Sequence, residues 1–373
     1  MPAFVVALVL VVVAPGLESA FHTPKSVVLA VGLVVALPVV VRRWRMLPLL
    51  PLGFVAAVSV SATWSDSWSA PSTSVLLLGG LTVATWKLFE LEPERVAKVL
   101  APALVVVCGL VVLQSLGVFT FGATGRMARS STLGNPDFVA SVVGVLGWLM
   151  FPLARRWLPM LVLVTGALVV TQSFASLAAL GLSALFVVVH PSMRSKRLML
   201  AVGAVLVLAL VSVGVTGRSL ERSARGRWYL TQVALPHVVE APVFGLGPGA
   251  LELHWPQWEL ELWTKRCGED AACVAAHPDF EFNGLQRHLH DDWLELLIEV
   301  GVPGVLSMAF VLISALGRSW RASSPFVGAA LVSFVTRGFF DFPLHRPADW
   351  AALAVVLSIG ATERRASVWY ERS

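Results

Sequence analysis

The chain has 373 residues, of which 57% are hydrophobic and only 14% charged, with a formal net charge of +5. So few charges cannot cover the core that this much apolar surface would form, which excludes an ordinary water-soluble globular protein and assigns most of the chain to lipid. No stretch joins a basic groove to stacking aromatics, so nucleic acid is excluded as a partner and the phospholipid bilayer takes its place.

Twelve apolar stretches are predicted as helices, at 4–17, 27–41, 47–62, 72–89, 96–119, 138–151, 157–172, 174–190, 198–215, 293–316, 326–340 and 348–360. Each is read as a membrane span, although several fall short of the roughly 20 residues a crossing needs. Pro15, Pro38, Pro51, Pro102 and Pro303 lie in or near these stretches. Proline is tolerated in lipid where neighbouring helices satisfy the freed carbonyls. The first stretch lacks a basic leader and a small-residue cleavage pattern, so it is read as a retained helix. The expected fold is an all-α polytopic membrane protein with about 12 transmembrane helices and one large exported loop. Spans occupy 1–216, the loop 217–291, and further spans with a short cytoplasmic tail 292–373.

The charge pattern sets the orientation. With the N-terminus inside, more than half of the lysines and arginines fall in the connections at 42–45, 87–98, 155–156, 194–197 and 318–321 and in the tail, which holds Arg364, Arg365 and Arg372. The short outer loops, around Lys25, Asp66, Thr171 and Arg346, are nearly bare of basic residues, as the positive-inside rule requires. Arg126, Arg129 and the bases of the large loop are the exceptions. Of the three cysteines, Cys108 sits in a span as packing, while Cys267 and Cys273 lie close together in the exported loop, where an oxidising compartment permits a disulfide. No local His/Cys set completes a tetrahedral metal site, and no His-Glu-x-x-His motif appears, so no metal is expected. Trp64, Trp68, Trp255, Trp258 and Trp263 fall where interfacial anchors belong.

Four outer segments carry residues able to do chemistry. In the first, 125–137, Arg126 and Arg129 precede Asn135-Pro136, a helix-start signal; the loop is either an ordinary cap or a place where Arg129 faces an anion. In the second, 218–228, Arg218, Arg222 and Arg225 fall near one helical face and Arg227 follows a glycine. They form a solvated face, a lipid-headgroup anchor or a bidentate phosphate grip. The glycine-rich turn at 242–249 lacks the lysine and spacing of a nucleotide loop, and lets the backbone pass close to something. In the third, 288–304, histidines and acids open a helix. Asp291 or Asp292 caps it, His290 sits ahead of it, and Glu295 and Glu299 are carboxylates that lipid tolerates only when paired or functional. In the fourth, 337–346, Arg337 is expected to pair with Asp341 or Glu299, with His345 at the same edge.

Taken in order, RSSTLGNPDF, GRWYLTQVALPHVVEAPVFGLGPG, HLHDDWLELLIEVGVPG and FFDFPLHRPA resemble the O-antigen ligase and Wzy-type polymerase superfamily of bacterial inner-membrane glycosyltransferases. The resemblance runs from about residue 126 onward. It implies a GT-C-like ligase architecture in the inner membrane, with a periplasmic loop and active site. The donor it implies is an undecaprenyl-diphosphate-linked glycan and the acceptor is lipid A core or another glycan, with no cofactor. Matched position by position, the arginine ahead of the Asn-Pro is Arg129, the arginine opening the large loop is Arg227, and the histidine before the acid-rich helix is His290. The chain departs from the pattern at Thr231, at Ser173-Phe174 and at His290-Asp291.

The implied roles follow from the bond broken, which joins an anomeric carbon to a diphosphate. Arg129 and Arg227 stabilise the leaving charge, and neutral His290 takes the proton of the acceptor hydroxyl. The three are expected to meet in one cavity. Arg126, Asn135, Arg218, Arg222, Arg225, Asp291, Glu295, Glu299, Arg337, Asp341 and His345 bind or orient around them. Ligation to lipid A core is the leading reading and polymerisation its alternative. A transporter of the same lipid-linked glycan comes third, lacking the inverted repeats it would require.

Overall fold

The structure is a computed structural model that describes residues 2–13, 21–63, 65, 71–89, 91–120, 125–192, 203, 217–277, 279–280, 286–322 and 325–359. The expected span at 198–215, the basic clusters at 194–197 and in the tail, Asp66, Trp64 and Trp68 lie outside the described residues, as do the side chains of Arg126 and Arg218.

Every described element is a helix, and no strand occurs among the described residues. The α-helices are α1 (Pro2–Val11), α2 (Thr23–Arg43), α3 (Leu49–Thr63), α4 (Pro71–Trp86), α5 (Pro93–Ser115), α6 (Pro136–Leu146), α7 (Ala154–Thr171), α8 (Phe174–Val189), α9 (Gly217–Ala234), α10 (Ala250–Cys267), α11 (Ala271–Ala276), α12 (Asp292–Arg321), α13 (Pro325–Gly338) and α14 (Pro347–Ile359).

The expectation of about 12 membrane spans is corrected. Among the described residues only three helical stretches are long and apolar enough to cross a bilayer: Thr23–Met46, Pro93–Ser115 and Asp292–Arg321. The described apolar stretches of the other helices run for 10–17 residues, or about 15–25 Å at 1.5 Å per residue, short of a hydrocarbon core about 30 Å thick. Their hydrophobicity serves a different purpose. Every residue of α14 is buried, and α14 packs against α1, α4 and α6. A helix that is apolar all round is one enclosed on all sides, and sequence cannot say whether lipid or protein encloses it. In α14 it is protein. The long helices instead turn apolar residues outward: Val27, Val31 and Val34 on α2, Val105 and Val106 on α5, and Phe310 and Ile313 on α12 are all exposed. Apolar patches of that kind suit a membrane.

A second, smaller core is built by α9 and α10. Tyr229, Leu230, Val233, Leu251, Trp255, Trp258 and Trp263 close it, with Leu289 and Ile298 from the start of α12 and the segment before it. Trp255, Trp258 and Trp263 are therefore core residues and not interfacial anchors. Cys267 and Cys273 are joined by a disulfide that ties the end of α10 to α11.

The turn at 242–249 explains how α12 bends. Pro303 has no N–H to give the carbonyl of Glu299 four residues back. That carbonyl instead accepts from Ser61 Oγ at 2.5 Å and from the Gly247 amide at 2.9 Å. The Leu246 amide takes the Ile298 carbonyl at 2.7 Å, while the Val302 amide turns to Pro242 at 3.1 Å. Gly301 sits in the bend at φ 74°. A Cβ there would lie 2.3 Å from the Val243 carbonyl oxygen, and one on Gly245 would lie 2.4 Å from that of Glu299. The two backbones approach so closely that only glycines fit. The glycine-rich turn thus presses on the kink of α12 and fixes the helix turn that bears the acids.

Candidate active site

Asp291 caps α12, its carboxylate accepting from the amides of Trp293 at 3.0 Å and Leu294 at 3.2 Å. Burial pushes the Asp291 carboxyl up, and those two amides pull it back. Capping by Asp291 releases Asp292, which starts a row of inward carboxylates with Glu295 and Glu299, at intervals of three and four along one helix face. All three are buried, as is His345 opposite them. The His345 ring fills the space between: Nδ1 is 3.2 Å from Asp292 Oδ1, and Nε2 is 3.2 Å from Glu295 Oε1 and 3.3 Å from Glu299 Oε2. Burial alone would lower the His345 pKa, but the surrounding carboxylates outweigh it and hold it well above the ordinary histidine value. Each carboxylate turns its second oxygen to a backbone amide: Leu344 for Asp292 at 2.8 Å, Leu289 for Glu295 at 2.8 Å and Gly249 for Glu299 at 2.7 Å.

A second charged group lies beside the first. Arg337, near the end of α13, pairs with Asp341 and also donates to Ser173, Ser176 and the Asp137 carbonyl. Arg346 donates to Asp341 at 2.9 Å and makes an ion-pair contact of 2.6 Å with Asp349. Ser141 Oγ donates to Asp349 at 2.5 Å. Burial would raise the Asp341 carboxyl, yet the guanidiniums of Arg346 and Arg337 outweigh it and keep it well below the usual carboxylate range. Arg346 also lies over the Phe138 ring at 4.4 Å, which shields the pair from water.

Of the three residues matched to the family's chemistry, His290 and Arg227 touch this network. His290 holds a left-handed backbone, φ 56°, costly for a residue with a Cβ. Its side chain is 44% exposed, its Nδ1 is 3.7 Å from Asp341 Oδ1 and its ring meets Phe342 edge-on at 5.0 Å. Arg227, on α9, donates from Nε to the Phe340 carbonyl at 3.1 Å and from Nη1 to Ser223 Oγ at 2.6 Å. His290 and Arg227 are thus attached to adjacent residues of one turn. Arg129 is fixed elsewhere, donating to the Val170 carbonyl at 2.9 Å. That carbonyl is near the end of α7, three residues before Ser173, which in turn meets Arg337. Asn135 caps α6, its Oδ1 accepting from the Asp137 amide at 2.8 Å. Arg222 and Arg225 are exposed on α9, and Arg225 pairs with Glu221 at 3.2 Å.

Several members of the network were not singled out from sequence. His288 Nδ1 donates to the Glu295 carboxylate at 2.7 Å, and its ring stacks on Phe342 at 4.2 Å. Lys25, read as part of an outer loop, is buried in the first turn of α2 and donates to the carbonyls of Val12 at 2.6 Å and Thr132 at 2.8 Å. His22, just before it, packs on Phe138 at 5.4 Å. Burial, helped by the charges of Arg346, Lys25 and His288, lowers its pKa to about 4. The available signals were a lone lysine opening an apolar helix and an Arg346–Asp349 spacing of three, both costly in an apolar setting unless paired.

Fold and site together define an all-helical protein with membrane-spanning character and a charged cluster at one end of its helices. A model of the O-antigen ligase family, Wzy_C, matches residues 159–309 and supports membership in that superfamily. The matched stretch includes Arg227, His290, Glu295 and Glu299, while Arg129 precedes it and Arg337, Asp341 and His345 follow it. Comparison with curated proteins gives no match.

Proposed function

We propose that the chain transfers a glycan from an undecaprenyl-diphosphate carrier to an acceptor hydroxyl at the periplasmic face of the bacterial inner membrane, with lipid A core as acceptor. The observation carrying this reading is the attachment of Arg227 and His290 to neighbouring residues, Phe340 and Asp341, of one turn. A cation suited to diphosphate and a partly exposed imidazole are thereby carried by one turn. Arg227 and Arg129 bind the diphosphate oxygens. His290 takes the proton from the acceptor hydroxyl as its oxygen attacks the anomeric carbon from the side opposite the diphosphate. The carbon–oxygen bond to the diphosphate breaks, the electron pair leaves with the phosphate, and the anomeric centre inverts. Asp341 stays ionised and supports the imidazolium that forms, as buried carboxylates do beside catalytic histidines.

The test is reconstitution of the full chain with undecaprenyl-diphosphate-linked glycan and two acceptors. Glycan on lipid A core supports ligation. A lengthening ladder on a second carrier-linked unit replaces ligation by polymerisation, and no transfer to either overturns the assignment.

A further inference from the structure

The cluster beneath the rim contains more than a set of ion pairs needs. His345 has carboxylate oxygens at both ring nitrogens, two of them at Nε2. The atoms His288 Nδ1, Glu295 Oε1 and His345 Nε2 all lie within 4.8 Å of one another, and Glu299 Oε2 is 3.3 Å from His345 Nε2.

From this arrangement we infer a structural divalent-metal site, of the zinc type, with His288, Glu295 and His345 as protein ligands and Glu299 beside the fourth position. Three observations support it. Separations of 3.2 and 3.3 Å about His345 Nε2 match the roughly 3.3 Å between ligand atoms of a tetrahedral ion with bonds of about 2.0 Å. His288 is closer to Glu295, at 2.7 Å, but it is half-buried at the edge of the cluster, where a small ring movement opens that distance. The outer shell is also complete. Asp292 holds Nδ1 of His345, and backbone amides of Leu289 and Gly249 hold the far oxygens of Glu295 and Glu299. Metal sites orient their imidazoles and carboxylates by such partners. Two imidazoles with carboxylate suit zinc and related transition ions better than magnesium or calcium, which take oxygen. His288, the least buried of the three ligands, gives the ion a way in. Bound there, the metal would tie the segment bearing His290 to α12 and to the turn at 343–345, and it would take no part in the transfer step.

The experiment measures metal and not transfer, so its failure is separable from failure of the proposed function. Full-length protein is purified in detergent without chelators or metal-affinity steps, and its zinc content is measured by mass spectrometry. A chelator-stripped sample is then titrated with zinc and, for its visible absorption, with cobalt(II). About one zinc per chain, or a cobalt(II) spectrum of tetrahedral intensity with zinc-dependent thermal stabilisation, is expected. His288→Gln should weaken zinc binding at least about tenfold while leaving the stripped protein folded, its melting temperature no longer raised by added zinc. Glu295→Gln should weaken it too, and Glu269→Gln, on an exposed residue, should not. Zinc below about a tenth per chain together with no zinc-dependent stabilisation would overturn the site. So would binding indifferent to His288→Gln, and His345 would then be read as an imidazolium among three carboxylates.

Discussion

The inner cluster and the outer rim use the same residue types in opposite ways. Inside, His345 and Arg346 are 6% and 1% exposed, and each faces two or more carboxylates. On the rim, the His290 side chain is 44% exposed and its carboxylate stands 3.7 Å away. Arg227 is half-buried and bonded to a backbone carbonyl and a hydroxyl. A charge buried among opposite charges is held in place and in turn holds backbone. A charge resting on a rigid turn with one side open can meet a ligand. Inner residues should therefore govern stability and rim residues activity, with Asp341, which also supports the His290 imidazolium, serving both.

Asp341→Ala tests the inner half most severely. It leaves Arg337 and Arg346 buried without the carboxylate they share, and stranding a buried charge costs about 3–5 kcal/mol. Urea unfolding in detergent that showed a loss below about 1 kcal/mol would erase the distinction. Arg227→Lys tests the rim. A point charge cannot reproduce a bidentate phosphate grip, so transfer should fall about 100-fold while unfolding shifts by less than about 1 kcal/mol; the reverse pattern would make Arg227 a scaffold residue. Gly301→Ala probes the backbone beneath both regions. Strain at a positive φ and the contact with Val243 should together cost about 2–3 kcal/mol, read as a lower melting temperature.

The smallest effect concerns pH. His22 stays neutral in the folded chain down to about pH 4, whereas the unfolded chain takes up the proton near pH 6.5. Below pH 6.5 the unfolded state gains that proton first, so stability falls as pH drops from 6.5 toward 4. At pH 5 the loss should be about 1–2 kcal/mol, and His22→Phe should flatten the slope. An equal slope in the variant would assign the acid sensitivity to other groups.

What could be read from sequence was local. The Asn135 cap, a cap at Asp291 or Asp292 and a partner for Arg337 in Asp341 or Glu299 follow from short spacings and helix geometry, and the folded chain selects Asp291 and Asp341. The span count was not legible, because a run such as 348–360 has the same composition whether lipid or other helices surround it. The burial of Trp255, Trp258 and Trp263 in a second core was hidden by the same ambiguity. His345 meets Asp292 across 53 positions and Glu299 across 46, and Lys25 meets Thr132 across 107. Only the folded chain shows such pairings.

The central claim is that the solvent-facing histidine does the chemistry while the charges beneath it do the holding. The most direct measurement is transfer by His290→Ala in liposomes loaded with undecaprenyl-diphosphate-linked glycan and lipid A core, paired with thermal unfolding of the same sample. The account predicts transfer reduced at least about 100-fold with a melting temperature within about 4 °C of the parent. Turnover at the parent rate in a folded His290→Ala protein would contradict it.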